Sequence, residues 1–424
     1  MKKTSLSGFL LCSIIALAAQ GCSSKSNDAK SPGTDAGGAG SVEDSLTVLS
    51  WWKAPGEAEA LQALLDTFQT NYPDVRVKDY DNATSSNWRT VLNDNLKNSP
   101  WDVYQLSASD VESVYSDNTE FLTPVDDIYA EASLKKNVIP IIHEATMVDG
   151  VSYGVVTGVH RNDSFLYNKQ ILDAQGLSPP ESLDEFMTLC KTLKDAGITP
   201  VAAIFQSWAM RIMLDEFLAG TLGTQGYYDF INSGAAPTDP DVQAKITAAI
   251  DAFDLVLTEY IDVDKSKGAD YSVFEAAESL HSGEAVMYFH GDWAKGYLVS
   301  VGWTGGVDFG VSGPPGASDL FIYGADMFSM PASAPDAQNA HDFLTTVASK
   351  QAQIAFNRFK GATPMRIDAR SGLDEPGKQA LDSLVNAKVL MKGHPNDAWD
   401  AALAAYAKDG DKAALLTSFL TEVP

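Results

Sequence analysis

From Leu46 onward, strand-like and helix-like patterns alternate, and this constrains the fold more than any other feature of the chain. A strand pattern at Leu46–Leu49 leads into a helical pattern over Glu57–Asn71, with apolar Leu61, Leu64, Leu65 and Phe68 on one side. A strand at Val75–Tyr80, a helix around Trp88–Leu96, a strand at Val103–Leu106 and a helix near Val111–Tyr115 follow. This spacing predicts an α/β fold built on parallel strands. The 380 residues after Asp44 exceed what one hydrophobic core normally holds, so two lobes are expected.

Three stretches read as passages between those lobes. They are the β-rich segment Val151–Asn168 with its crossing near Thr157, FGVSGPPG at Phe309–Gly316, and the turn at Gly361–Pro364. One lobe is then 45–157 with 314–362, and the other is 158–313 with 363–424, the end being read as a helical tail. Three crossings put a ligand in a cleft that a hinge can close.

The start of the chain sets its expected compartment. Lys2 and Lys3, an apolar run from Leu6 to Ala19 and then Gln20-Gly21-Cys22 describe a secretory signal peptide over 1–21, too short to span a bilayer. Cys22 after Gly21 resembles a bacterial lipoprotein cleavage site, although Ala19 and Gln20 depart from the usual pattern. Residues 22–44, rich in Ser, Gly, Asp and Ala, read as a flexible tether. The expected picture is a body held at the periplasmic or extracytoplasmic face of a membrane through a lipid on Cys22. Cys12 leaves with the signal, so Cys190 is the one thiol of the body and no intrachain disulfide is expected. Cys190 sits in an amphipathic helical pattern and reads as a small buried apolar residue.

Charge narrows the partners. With 30 Lys+Arg against 56 Asp+Glu, the formal charge is −26, which repels nucleic acid, anionic lipid and polyanionic substrates. Motif chemistry narrows the reactions. No GxSxG elbow, HExxH helix, phosphate-binding glycine loop or CxxC pair occurs, so neither a catalytic residue nor a cofactor is assigned. Asp262 and Asp264 resemble the start of a calcium loop, but Gly268 comes one place late and Val273 stands where a bidentate Glu is required. No metal site is expected. Asp292 and Asp326 are the one pair that a secreted glycosidase could use.

Trp51 and Trp52 follow directly on the first strand. Ligands of α/β sheets bind outside the carboxyl ends of strands, and a flat indole matches the C–H face of a sugar ring. Each Trp can bury roughly 150–250 Å², worth a few kcal/mol at about 25 cal/mol per Å². The competing role is ordinary core packing.

The motifs SWWKAPGE, YQLSASD, VHRNDSFLYNK, PPESLDEF, SGEAVMYFHGDWAKGY, FIYGADMF and FKGATPMR stand in an order that resembles the extracellular family 1 sugar-binding proteins of ABC importers, specifically the glucose/mannose-type branch. The resemblance spans nearly the whole mature chain. It implies an α/β, two-lobed periplasmic-binding-protein-like (type II) fold, a small neutral sugar as ligand and ABC permease subunits as partners. Carried over position by position, the expected contacts are Trp51, Trp52, Glu57, Gln105, His160, Trp293, Asp326, Lys360 and His394. Ser107 stands where relatives of the glucose branch often have His, which leaves a neutral mono- or disaccharide as the expected ligand. A polyol or an oligosaccharide is the alternative. A tethered carrier of this type works as a monomer.

The residue chemistry agrees. A sugar hydroxyl both donates and accepts, so its site needs carboxylate or amide acceptors beside cationic donors. Asp326, Glu57 and Gln105 supply acceptors and Lys360 donors. Each also has a plainer reading: Asp326 as the start of a turn after Gly324, Lys360 as a solvated lysine, His160 and Arg161 as structural. Asp292 reads as a helix cap or a ligand group, and Trp208 as cleft or core.

Overall fold

The computed structural model describes residues 44–80, 84, 87–261, 272–394 and 396–424. The expected signal peptide, Cys22, the tether before Asp44 and the acidic turn at Asp262 and Asp264 lie outside the described residues.

Twelve strands are described: β1 (Ser45–Leu49), β2 (Arg76–Tyr80), β3 (Val103–Ser107), β4 (Met147–Val148), β5 (Val151–Ser152), β6 (Val155–Arg161), β7 (Ser164–Asn168), β8 (Val201–Ala202), β9 (Met287–His290), β10 (Phe309–Ser312), β11 (Leu320–Ser329) and β12 (Val389–Lys392). The first sheet has the order β12-β11-β3-β1-β2, with β6 also on β11. Here β1 is parallel to β2 and β3, while β11 runs antiparallel to β3 and β6. The second sheet, β10-β7-β9-β8, is antiparallel except for β8 and β9. The fold is α/β and two-lobed. The parallel arrangement expected from the alternation holds for β1–β3, and the strands at the passages make both sheets mixed.

Each lobe has its own core. Leu46, Leu64, Phe68 and Tyr104 belong to one, and Phe165, Phe186, Phe217 and Phe253 to the other. The helix Glu57–Asn71 coincides with its expected span and turns Ala60, Leu61, Leu64 and Phe68 inward. Cys190 is fully buried, and burial pushes its thiol up.

The passages differ from the expected ones in two respects. β6 stays paired with β11 as far as Arg161, so the chain leaves the first sheet at Asn162 and Asp163 rather than at Thr157. Met365, Leu373, Leu381 and Leu384 pack into the first core, so the segment around them does not join the second lobe. The terminal region is also not wholly helical. Val389–Lys392 is too short an apolar run for a helix and adds β12 parallel to β11.

β11 is the shared element. Leu320 and Ile322 enter the second core while Phe321 and Tyr323 enter the first, because successive strand residues face opposite ways. Arg161 ties this strand to the first passage. Its Nη2 donates to the carbonyls of Ser318 (3.2 Å) and Leu320, and its Nε donates to Asp163 Oδ1 (3.3 Å). Asp163 Oδ1 in turn accepts from the Ile322 N–H at 2.9 Å.

Candidate functional site

A cleft of about 870 Å³ lies between the sheets. Its floor is a row of alternating charges assembled from four separate elements. Glu57 opens the helix after β1, His160 lies in β6, Asp326 in β11, and Lys360 ends the helix Lys350–Lys360. Lys360 Nζ donates to Glu57 Oε1 at 2.7 Å and lies 3.8 Å from Asp326 Oδ2. His160 Nε2 is 3.0 Å from Asp326 Oδ2, and its Nδ1 is 2.6 Å from Asp292 Oδ1.

A neutral imidazole donates from only one nitrogen, so a ring between two carboxylates is the doubly donating cation. Burial opposes that charge; Asp292 and Asp326 outweigh it and raise His160 to about 9. Burial also works against ionised Asp326, yet the bond and charge of His160, with Lys360 beyond, hold its carboxyl below the ordinary range. For Lys360 the burial penalty is overcome by Glu57 and Asp326, which keep the ammonium charged.

The row has a consequence for stability. His160 titrates near 6.5 when unfolded and near 9 in the fold. A raised value contributes stability that is complete below pH 6.5 and lost as pH rises through 9; this shift is worth about 3 kcal/mol. The difference in urea unfolding free energy between the wild type and His160→Asn should therefore shrink by about that amount between about pH 6 and about pH 9.5. A difference constant across that range means that His160 is neutral.

Two aromatic platforms flank the floor. On the first lobe Trp51 stacks on Trp88, with ring centroids 5.1 Å apart and an interplanar angle of 27°. On the second, Trp293 stands edge-to-face with His160 and His290, at 5.4 and 4.9 Å. Trp208 lies 6.4 Å from Trp293 at 31° and is 42 % exposed. Gly291 makes the Trp293 pose possible, because a Cβ there would fall 1.9 Å from a carbon of the indole.

Most expected site residues converge: Trp51, Trp52, Glu57, His160, Trp208, Trp293, Asp326, Lys360 and His394 all line the cleft. Trp52 does so as a wall rather than a platform. It is 1 % exposed, packs on Phe356 and Phe328, and lies under the Lys360 ammonium at 5.2 Å. Gln105 is not brought to the cleft. Every β3 residue up to Leu106 is buried, and Gln105 Oε1 accepts from Ser50 Oγ (2.6 Å) and the Trp51 N–H (3.2 Å), bracing the strand exit from behind. Asp292 is likewise behind the surface. It makes no side-chain cap to the helix it precedes; its oxygens accept from His160 and the Arg161 N–H. Asp326 does not begin a turn, since β11 continues through Gly324 to Ser329 with a bulge after Asp326 that aims it into the cleft.

The same contacts bear on the glycosidase pair. Asp292 and Asp326 clamp one imidazolium, and Asp326 is held below the ordinary range, whereas a glycosidase acid needs a raised pKa.

Several lining residues were missed from sequence. Arg211, Ile212 and Asp215 share one face of the helix Ser207–Leu222 with the expected Trp208, three, four and seven positions after it. Arg and Asp at that spacing on a mainly apolar helix were the available signal. Arg211 reaches His394, its Nη2 lying 2.9 Å from the ring Nε2.

These features have relatives. A family model described as bacterial extracellular solute-binding protein matches residues 54–354, and the chain belongs to that family. An ABC transporter extracellular-binding protein of Pyrococcus horikoshii is 31% identical over 338 residues, 78% of this chain and 74% of the relative. A probable sugar-binding periplasmic protein of Brucella suis is 28% identical over 362 residues, 83% of this chain and 82% of that one. Among solved structures, the bacterial solute receptor AcbH aligns with a TM-score of 0.72 at 16% identity, over 89% of this chain and 97% of the receptor. The raffinose complex of the binding protein RafE gives 0.69 at 16% identity, over 88% and 97%. At such identities the structural likeness speaks to the fold alone.

Proposed function

We propose that this chain is the substrate-binding component of an ABC sugar importer, closing its cleft on a neutral mono- or disaccharide of the glucose/mannose type and handing it to a membrane permease. The observation that carries this reading is the 3.8 Å gap between Lys360 Nζ and Asp326 Oδ2, set between two indole platforms. A hydroxyl placed there accepts from the ammonium and donates to the carboxylate, which a single donor or acceptor cannot match. The indoles cover apolar ring faces at the same time. The sugar-binding relatives in Brucella support the ligand class, and the ABC relative in Pyrococcus supports the transport role. Nothing in the row of charges needs the bound molecule to react.

Titration of the purified protein with a sugar panel, followed by tryptophan fluorescence, tests this. A saturable change at one sugar per chain, with the sugar recovered intact, is expected. No response to any sugar, or release of reducing ends, overturns it. Gly291→Ala should weaken binding about tenfold, or about 1.4 kcal/mol, because the added methyl displaces the Trp293 indole. An unchanged dissociation constant removes Trp293 from the contact surface.

We further propose that the body is held at the extracytoplasmic face by a lipid on Cys22. Metabolic labelling with a fatty acid should mark the wild type and not Cys22→Ser; equal labelling of both sinks the anchor.

A further inference from the structure

The second lobe carries a donor–acceptor pair with the same spacing as the Lys360–Asp326 gap. Arg211 is 5 % exposed and held on three sides. Its Nε donates to Asp215 Oδ1 at 2.9 Å, its Nη2 lies 2.9 Å from His394 Nε2, and its Cζ sits 4.4 Å over the Trp399 ring. The remaining nitrogen, Nη1, is buried and has no hydrogen-bond partner. Asp400 Oδ1, buried and also without one, lies 3.9 Å away, and both residues line the cleft.

The Arg211 half of this pair is costly as it stands, whereas the Asp400 side chain is 36 % exposed. A buried donor or acceptor left unmade costs about 1–3 kcal/mol. The two cannot satisfy each other at 3.9 Å, because a hydrogen bond between nitrogen and oxygen needs about 2.7–3.2 Å. The Arg211 fork has no freedom to close the gap, since its other nitrogens and its flat face are engaged. His394 reinforces the arrangement. Burial keeps its imidazole below the ordinary range, so the ring stays neutral and accepts from Arg211. The Asp400 side chain, 36 % exposed, has room to move aside for a hydroxyl oxygen that then lies about 2.8 Å from both atoms, accepts from Nη1 and donates to Oδ1.

We propose that Arg211 and Asp400 form a second hydroxyl-binding notch, and that the ligand is a saccharide of at least two units, with one unit on the Lys360–Asp326 gap and the next on this notch. The proposal rests on the sugar-binding reading above and deepens it. The cleft volume supports the longer ligand. At about 870 Å³ it lies near the top of the roughly 300–1,000 Å³ that accommodate drug-sized molecules, well beyond one pyranose ring. A ligand lacking the distal hydroxyl leaves Nη1 and Oδ1 unpaired, so the notch selects for chain length and for the stereochemistry of that hydroxyl.

The test compares glucose, mannose and galactose with maltose, cellobiose, trehalose, lactose, sucrose and melibiose by calorimetric titration of the wild type, Arg211→Met and Asp400→Asn. In the wild type, the tightest disaccharide should bind at least tenfold more strongly than the tightest monosaccharide. Each variant should weaken that disaccharide at least tenfold, and Asp400→Asn, which leaves the Arg211–His394 contact in place, should change monosaccharide affinity less than threefold. Asp400→Asn keeps the side-chain shape and reports alone should Arg211→Met fail to fold by circular dichroism. Disaccharide affinity unchanged within threefold in the folded variants overturns the notch and leaves the sugar reading intact. So does a monosaccharide that binds as tightly as any disaccharide, or an equal loss for both ligand lengths in Asp400→Asn. Absence of binding to every sugar by folded wild type overturns the sugar reading and the notch together.

Discussion

Asp326→Ala is expected to weaken sugar binding by at least 30-fold, about 2 kcal/mol, and to destabilise the protein by about 3 kcal/mol. The carboxylate is the hub of the cleft floor: His160 Nε2 lies 3.0 Å from it and Lys360 Nζ 3.8 Å. Removing it leaves two buried cations facing one another with a single carboxylate each, Glu57 for Lys360 and Asp292 for His160, and deletes the acceptor of the proposed hydroxyl contact. Asp326→Asn separates the two effects. The amide keeps the volume and one acceptor oxygen, so more stability should be retained than in the alanine variant, while affinity still falls because a charge-assisted bond becomes a neutral one. Fluorescence titration gives the affinity and urea unfolding gives the stability. Wild-type affinity in both variants would place the ligand elsewhere in the cleft.

Arg161→Met should cost still more stability, about 4 kcal/mol, although the residue lies behind the cleft floor. Its guanidinium serves the carbonyls of Ser318 and Leu320 and pairs with Asp163, joining two of the three passages between lobes. Without it, Asp163 remains 1 % exposed and without its cation. Burial already raises Asp163 to about 6 despite Arg161. Glu216, buried beside this group with neither carboxyl oxygen bonded, is raised well above the ordinary range by burial and then by Asp163, so the pocket holds no spare positive charge. The double variant Arg161→Met/Asp163→Asn removes the orphaned charge and should recover part of the loss. Urea unfolding measures all three, and a double variant less stable than Arg161→Met alone would show that the charge is not the source of the cost.

Local pattern carried a good part of this molecule. The helix Glu57–Asn71 was legible because its apolar residues recur at helical spacing and a Pro-Gly break precedes it. The tryptophans at the end of the first strand marked the cleft because strand exits are where α/β sheets leave space. Local pattern misled where a residue's partner is remote. Gln105 looked like an acceptor at a strand exit, yet its oxygen serves Ser50 and Trp51, 55 and 54 residues back in the chain. Asp292 looked like a cap because it precedes a helix, but His160, 132 residues away, holds it. Asp400 gave no local signal, since an acidic residue in a helical first turn is ordinary.

Chain length gave the expectation of two lobes, while neighbouring residues alone determined the order of strands and helices and the kinds of side chain available for a sugar: indoles, carboxylates and a lysine. Those properties depend on backbone preference and apolar period, which act over a few residues. Which side chains face the ligand was decided only by the assembled fold. Glu57 meets Lys360 across 303 positions, and His160 meets Asp326 across 166. A buried charge keeps its ionised form only beside its partner, so the character of the cleft floor exists only once distant strands have paired.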